Sequence, residues 1–215
     1  MMTLIPVFRP VLVTSVLALG FAAACQTPPP ADRVRLVLDD VAAVTENPSV
    51  TQAKSWPEML RAPSPAPTAG RPLLNLSFAL NWRSYGDQPG GYRRWNLGIH
   101  LINAALLALL LHTLFHQLDP KRWRGLDPTL AAILAATLWA LHPVQTICVA
   151  YVSQRAESLM ALFYLLTLTL FFRGVTASRP AWWQAATALA CAAGMATKEI
   201  MARSEEHTSE LQSLA

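Results

Sequence analysis

The chain has 215 residues with a net charge of +4, and 53% of them are hydrophobic while only 14% are charged. Ordinary soluble domains carry about 25% charged residues, so this composition excludes that class and predicts an all-α integral membrane protein. The basic residues are scattered among the loops and form no single face with interleaved aromatic residues, which argues against nucleic-acid binding.

The first apolar segment, Leu4 to Ala24, can cross a hydrocarbon core of about 30 Å and predicts a first transmembrane helix within residues 1–25. A second interpretation stays open. Arg9, a short apolar core and the sequence Ala22-Ala23-Ala24-Cys25 also fit a bacterial lipoprotein signal peptide with Cys25 as the lipidated residue.

Residues 26–95 are polar and rich in proline, which predicts a long extramembrane loop. Proline fixes φ and removes a backbone donor, so extended connectors are expected at Pro28-Pro29-Pro30 and at the run around Pro65. Asp39 and Asp40 follow an apolar triplet between these two runs. Two adjacent carboxylates in a loop are most often a solvated turn, and at the membrane surface they are also candidates for general-base catalysis.

Four further spans are predicted: Leu97 to Phe115, Thr129 to about Val149, Ser158 to Phe172, and Trp182 to Thr197. The basic loops at 119–127 and 173–180 should be cytoplasmic by the positive-inside rule, which makes the loop at 26–95 extracytoplasmic. Three polar residues at the start of the Leu97 to Phe115 span lie on one helical face, which should be directed into protein or water. They are Asn96, His100 and Asn103. Hydrogen bonding between helices explains this face equally well.

This alternation gathers the polar side chains with chemical potential on the extracytoplasmic side. They are Asp39, Asp40, Asn96, His100, His142, Arg155, Glu157, Lys198 and Glu199. Charges between two membrane-length apolar runs are costly and suggest a functional site. Structural alternatives remain: an ion pair of Arg155 with Glu157, a helix-distorting turn at His142, and an interfacial anchor at Trp182 and Trp183.

Two features carry no prediction of a site. Residues 203–215 look like the translation of a sequencing adapter and are excluded from the fold. The three cysteines are Cys25, Cys148 and Cys191. They are widely spaced and form neither a metal-binding pattern nor a disulfide framework. The sequence also contains no nucleotide-binding glycine loop, zinc spacing or nucleophile elbow.

The ordered motifs between Leu36 and Met201 resemble those of the transmembrane and tetratricopeptide-repeat-containing O-mannosyltransferases and their bacterial relatives, within the GT-C glycosyltransferases. The motifs are LDDVAAVTENPSV at 38–50, RPLLNLSFALN at 71–81, the 96–103 segment, ALHPVQT at 140–146, VAYVSQRAESLMALFYLL at 149–166 and TKEI at 197–200. The set of motifs in this order and spacing is more specific than any one of them.

The resemblance implies an enzyme that transfers a mannose-like sugar from a polyprenyl-phosphate carrier to a protein hydroxyl outside the cytoplasm. It implies Asp39 or Asp40 as general base, with the neighbouring carboxylate orienting it or binding a divalent metal. Arg155 and Lys198 would then bind the donor phosphate, the first bidentately and the second as a point charge. Other polar positions of the implied site are His100, His142, Glu157 and Glu199.

The sequence departs from the family at one motif, because relatives usually carry a glutamate after the HPVQT segment and this chain has Ile147 and Cys148. It also stops before the later spans and the tetratricopeptide repeats, so the chain alone is expected to be inactive. A second functional class is a non-catalytic membrane scaffold for repeats that bind partner proteins. The alanine-rich spans favour a bacterial inner membrane, with the endoplasmic reticulum membrane expected for a eukaryotic source.

Overall fold

The computed structural model describes residues 36, 39–117, 125–175, 177 and 180–198. All regular secondary structure within these ranges is helical. The all-α fold class is therefore confirmed. The first predicted span, the triple proline at 28–30, Cys25 and the tail from 203 lie outside the described residues.

The extramembrane segment contains four helices where the sequence analysis assigned none: α1 (Val41–Thr45, a π-helical turn), α2 (Pro48–Thr51), α3 (Trp56–Leu60) and α4 (Pro72–Tyr85). In α2, α3 and α4 a proline occupies the first or second position. The missing N–H of proline is harmless there because the first turn has no intrahelical acceptor for it. Three prolines of this segment thus lie in the first turn of a helix. The run at 61–71 is non-helical as predicted, but it forms consecutive turns instead of an extended connector.

Five helices form the apolar part of the chain: α5 (Pro89–Phe115), α6 (Pro128–Leu141), α7 (Thr146–Ala150), α8 (Arg155–Val175) and α9 (Pro180–Met195). Helices α5 and α8 are long and apolar enough to cross a membrane. Helix α6 and the segment Pro143–Ala150, which contains a 3-10 turn and α7, form a third candidate span that is bent by 55°.

These bounds correct three of the predicted spans. The predicted helix from Thr129 to Val149 is broken after Leu141, because Pro143 cannot donate to the carbonyl one turn earlier. The predicted span from Trp182 corresponds to α9, whose 16 residues reach about 24 Å at 1.5 Å per residue, short of a full hydrocarbon core. Helix α5 also begins at Pro89 instead of Leu97, well inside the predicted loop.

The extramembrane helices pack on one end of the bundle. Their shared core joins α1, α2 and α4 to the first turns of α5 and α8; it consists of Ala43, Val44, Val50, Leu74, Phe78, Tyr92, Val152 and Ala156. A backbone hydrogen bond of 3.3 Å from Leu73 N to Ala196 O also ties the start of α4 to the end of α9. The start of α5, the break after α6, the start of α8 and the end of α9 therefore meet at this end.

Helices α8 and α9 approach closely at Gly174, where an added β-carbon would lie 2.8 Å from Cβ of Trp183. We expect Gly174→Ala to lower the free energy of unfolding by about 1–3 kcal/mol, because one helix must shift to make room. Gly98→Ala is the matched control, since a β-carbon there meets nothing within 4 Å. It should stabilise α5 by up to about 1 kcal/mol through helix propensity. Equal thermal midpoints for the two variants in detergent would contradict the close approach.

Candidate active site at one end of the helical bundle

Residues 150–154, from the last residue of α7 to the start of α8, are called here the α7–α8 linker. Three side chains from other elements hold it. Arg93 donates from Nε to the carbonyl of Ala150 at 3.2 Å, and Asn96 donates from Nδ2 to the carbonyl of Tyr151 at 3.2 Å. Asp40 accepts from the backbone N–H of Ser153 at 2.7 Å through Oδ1. The extramembrane segment and α5 thus fix the same short stretch of backbone.

The two aspartates of the predicted catalytic pair have different surroundings. Asp40 is 2% exposed and binds the backbone just before α8. A carboxylate there is favoured because the unpaired N–H groups at a helix start carry positive potential. Asp39 is exposed beside it. Of the two, Asp39 therefore offers a carboxylate that an acceptor can reach, while Asp40 holds the segment in place.

Arg155 lies at the centre of this end of the bundle with no exposed surface. Its Nε donates to Oδ1 of Asn96 at 2.7 Å, and Nη2 donates to Oδ1 of Asn81 at 2.7 Å and to the carbonyl of Tyr92 at 3.0 Å. Nη1 reaches the carbonyl of Ser77 at 3.3 Å. The guanidinium thus joins α4, α5 and α8 through four neutral acceptors.

Aromatic rings complete the surroundings of Arg155. The guanidinium carbon lies 4.7 Å from the ring centre of Phe78, 5.6 Å from that of Tyr92 and 5.9 Å from that of Trp95. Cation–π attraction is strongest in such desolvated places. This geometry does not fit the prediction that Arg155 binds the donor phosphate, because the buried guanidinium already has protein partners. The alternative of an ion pair with Glu157 fails as well, since residues two apart on a helix do not face each other.

Glu157 pairs instead with Lys198, whose Nζ contacts Oε1 of the carboxylate. The pair links the first turn of α8 to the end of α9, and both side chains are partly exposed at the same end as Asp39. Lys198 therefore lies at the predicted end of the bundle, but with its charge already matched. Glu199 lies outside the described residues.

The two histidines of the predicted site bind backbone atoms near the break in the third span. His100 is buried, and its Nε2 lies 3.0 Å from the carbonyl of Ala140, so this nitrogen must carry the proton. Its ring also stacks on Trp139 at 5.3 Å. His142 is exposed and accepts from the N–H of Val144 through Nδ1 at 3.2 Å, as an N-cap of the 3-10 turn. Both therefore replace hydrogen bonds that the break at Pro143 removes.

The predicted polar face of α5 is buried and binds neighbouring helices. Besides Asn96 and His100, Asn103 donates to the carbonyl of Ser158 at 2.9 Å. All three side chains are directed to backbone carbonyls of the elements packed on α5. Hydrogen bonding between helices, one of the two readings of this face, accounts for the observed contacts.

A second polar cluster inside the extramembrane segment has no counterpart in the sequence analysis. Asn47 donates to Thr68 Oγ1 and Asn75 Oδ1, both at 2.9 Å, and accepts from the hydroxyl of Ser49 at 2.6 Å. Asn75 donates to the carbonyl of Met59 at 2.7 Å. Asn47 precedes Pro48 and is the N-cap of α2. An asparagine before a proline is a common sequence signal of a helix start, so its capping role was predictable but its long-range hydrogen bonds were not.

A cleft of about 480 Å³ lies between α2, α3 and the start of the 61–71 run. The cleft is lined by Pro48, Ser49, Gln52, Ala53, Pro57, Glu58, Arg61 and Pro63. The Glu58 carboxylate beside it accepts from the Ser55 hydroxyl and the Lys54 N–H, and the first of these bonds is the main reason that its pKa is lowered. In the described ranges no three His, Cys, Asp or Glu side chains are placed to hold a metal ion.

The chain is similar in sequence to several curated proteins named protein O-mannosyl-transferases. TMTC4 of Homo sapiens is 41% identical over 101 residues, which cover 45% of this chain and 14% of the relative. Tmtc2 of Drosophila melanogaster is 33% identical over 177 residues, covering 76% of this chain and 18% of the relative. Tmtc1 of the same organism is 33% identical over 138 residues, with 60% and 15% covered.

The chain spans less than a fifth of the length of these relatives. No protein-family model matches it, and no solved structure matches it. The resemblance to the O-mannosyltransferase family, stated from the motifs, is confirmed by these alignments.

Proposed function

Because the chain belongs to the same sequence family as the protein O-mannosyl-transferases with which it aligns, we propose that it forms part of a membrane enzyme that mannosylates proteins. The donor is a polyprenyl-phosphate mannose, and the acceptor is a Ser or Thr hydroxyl of a protein. The observation that carries the proposal is the placement of the exposed Asp39 beside the buried Asp40, at the end of the bundle where α5, α8 and α9 meet.

The reaction forms a bond between the acceptor oxygen and C1 of mannose and breaks the bond between C1 and the phosphate oxygen. The bonding electrons leave with the polyprenyl phosphate, and the hydroxyl proton passes to the carboxylate of Asp39. A positioned carboxylate is needed because a hydroxyl is a poor nucleophile at neutral pH. Asp40 is a positioning residue that holds the segment against the start of α8.

The site lies on the extracytoplasmic side in this proposal, which the basic loops of the sequence support through the positive-inside rule. The two or three apolar helices fit a membrane protein. In a bacterium the membrane is the inner membrane, and in a eukaryote it is that of the endoplasmic reticulum. A lipid carrier brings its phosphate to the membrane surface, where the α7–α8 linker and the Glu157–Lys198 pair also meet.

The test is a transfer assay with the full-length protein that carries this chain, reconstituted in liposomes. We expect radiolabelled mannose to pass from polyprenyl-phosphate mannose to an acceptor protein, and not from GDP-mannose added alone. Transfer from GDP-mannose without a lipid carrier would overturn the proposed donor. Absence of transfer from both donors, with partner proteins still bound, would support the scaffold function in its place.

A further inference from the structure

We propose that Arg93 is the residue that contacts the phosphate of the lipid-linked donor, an inference that rests on the function proposed above. The leaving phosphate gains negative charge as its bond to the sugar breaks, and a fixed cation lowers the energy of that state. The sequence alone favours Arg155 for this role. The structure leaves the role to a cation with unused donors at the same end of the bundle.

Three other cations near this end, Arg155, Lys198 and Arg83, already have protein partners. Arg155 is enclosed by protein acceptors, and Lys198 is paired with Glu157. Arg83 donates from Nη2 to the carbonyls of Ala53 and Lys54, both at 3.3 Å. A phosphate would have to displace these partners before it could bind any of the three.

Arg93 is partly buried at the start of α5 and uses one donor, Nε, in its bond of 3.2 Å to the carbonyl of Ala150. Among the hydrogen bonds of the described ranges, none involves its Nη1 or Nη2. The bond through Nε fixes the direction of the guanidinium while leaving the two terminal nitrogens for another acceptor. Two parallel N–H donors match the geometry of a phosphate.

The position of Arg93 relates this cation to the proposed base. Arg93 binds residue 150, and Asp40 binds residue 153, at the two ends of the α7–α8 linker. Three residues span at most about 11 Å. A carboxylate and a guanidinium thus hold one short stretch of backbone. In this proposal the acceptor approaches on the side of Asp39 and the phosphate binds on the side of Arg93.

The test measures binding, so it does not depend on catalysis. The full-length protein is placed in nanodiscs of zwitterionic lipid, and its affinities for farnesyl phosphate and for farnesol are compared. We expect the wild type to bind farnesyl phosphate more tightly than farnesol. Arg93→Gln should lose about 10- to 100-fold in affinity for the phosphate, which corresponds to the usual free energy of charge-assisted hydrogen bonds. Affinity for farnesol should stay within about twofold.

Two further variants separate binding from folding. Arg93→Lys keeps a donor for Ala150 but loses the fork, so its loss of affinity should be intermediate. Arg94→Gln is the matched control, because Arg94 is an exposed neighbour whose guanidinium lies 5.8 Å from the ring centre of Tyr85. It should bind farnesyl phosphate as the wild type does. Affinities are compared only among variants whose thermal midpoints match that of the wild type. If Arg93→Gln unfolds, the affinity of Arg93→Lys for farnesyl phosphate is the test.

Three outcomes would overturn the proposal in distinguishable ways. If the wild type does not prefer farnesyl phosphate, both the lipid-phosphate donor and the role of Arg93 are excluded. A preference that survives in both Arg93 variants leaves the proposed function in place and excludes this residue. Displacement of farnesyl phosphate by an equal amount of phosphatidic acid would indicate a site for anionic membrane lipid instead.

Discussion

Replacing Arg155 by methionine should destabilise the helical bundle by about 3–5 kcal/mol, because it breaks a buried hydrogen-bond network. Methionine fills a similar volume but leaves four oxygens without a donor, on Ser77, Asn81, Tyr92 and Asn96. Each buried acceptor without a partner costs about 1–3 kcal/mol. The loss appears as a lower thermal midpoint in detergent and a larger fraction of aggregated protein on size exclusion.

Two further variants test this assignment. Arg155→Lys keeps the charge but has no planar fork, so it should recover only part of the stability. Arg94→Met removes an arginine from the exposed face of α5 and should change the free energy of unfolding by no more than about 0.5 kcal/mol. A stable Arg155→Met protein that had lost only its affinity for farnesyl phosphate would restore the sequence-based role of Arg155 and contradict the structural one.

The difference between the predicted and the observed surroundings of Arg155 has a physical origin. A charge between two apolar runs needs a partner, and the sequence allows either a ligand or another part of the protein to supply it. The protein partners are spread over two helices: Phe78 and Asn81 on α4, Tyr92 and Asn96 on α5. Each pair has helical spacing, three residues apart on α4 and four on α5. No local pattern states that these two faces meet around the same side chain.

Where a prediction depended on the period of one helix, it succeeded. The face formed by Asn96, His100 and Asn103 is buried as the spacing predicts. The break at Pro143 was considered only as the alternative of a helix-distorting turn at His142, while the predicted span continued to about Val149; the structure favours the alternative, since proline ends the helix and His142 caps the next turn. Helices α2, α3 and α4 of the extramembrane segment were missed because proline at a helix start and proline in a connector look alike until the following hydrogen bonds are known.

Asp39→Asn should reduce mannosyl transfer by about 10²- to 10⁴-fold, the usual contribution of a general base. Asparagine has the same shape but cannot take up the hydroxyl proton. Donor binding should stay within about twofold, and the free energy of unfolding within about 0.5 kcal/mol, because Asp39 is exposed. The measurement is transfer from polyprenyl-phosphate mannose under single-turnover conditions, with farnesyl phosphate binding followed in parallel.

Asp40→Asn and Glu46→Gln separate the base from its neighbours. The amide oxygen at position 40 can still accept from the N–H of Ser153, so this variant loses mainly the negative charge at the start of α8. That loss should cost about 0.3–1 kcal/mol of stability and only a small part of the transfer rate. Glu46 is exposed in the same segment, so its variant should transfer normally. If Asp40→Asn abolished transfer while Asp39→Asn did not, the buried carboxylate would be the base. If neither did, the aspartates would have no catalytic role and the scaffold function would be favoured.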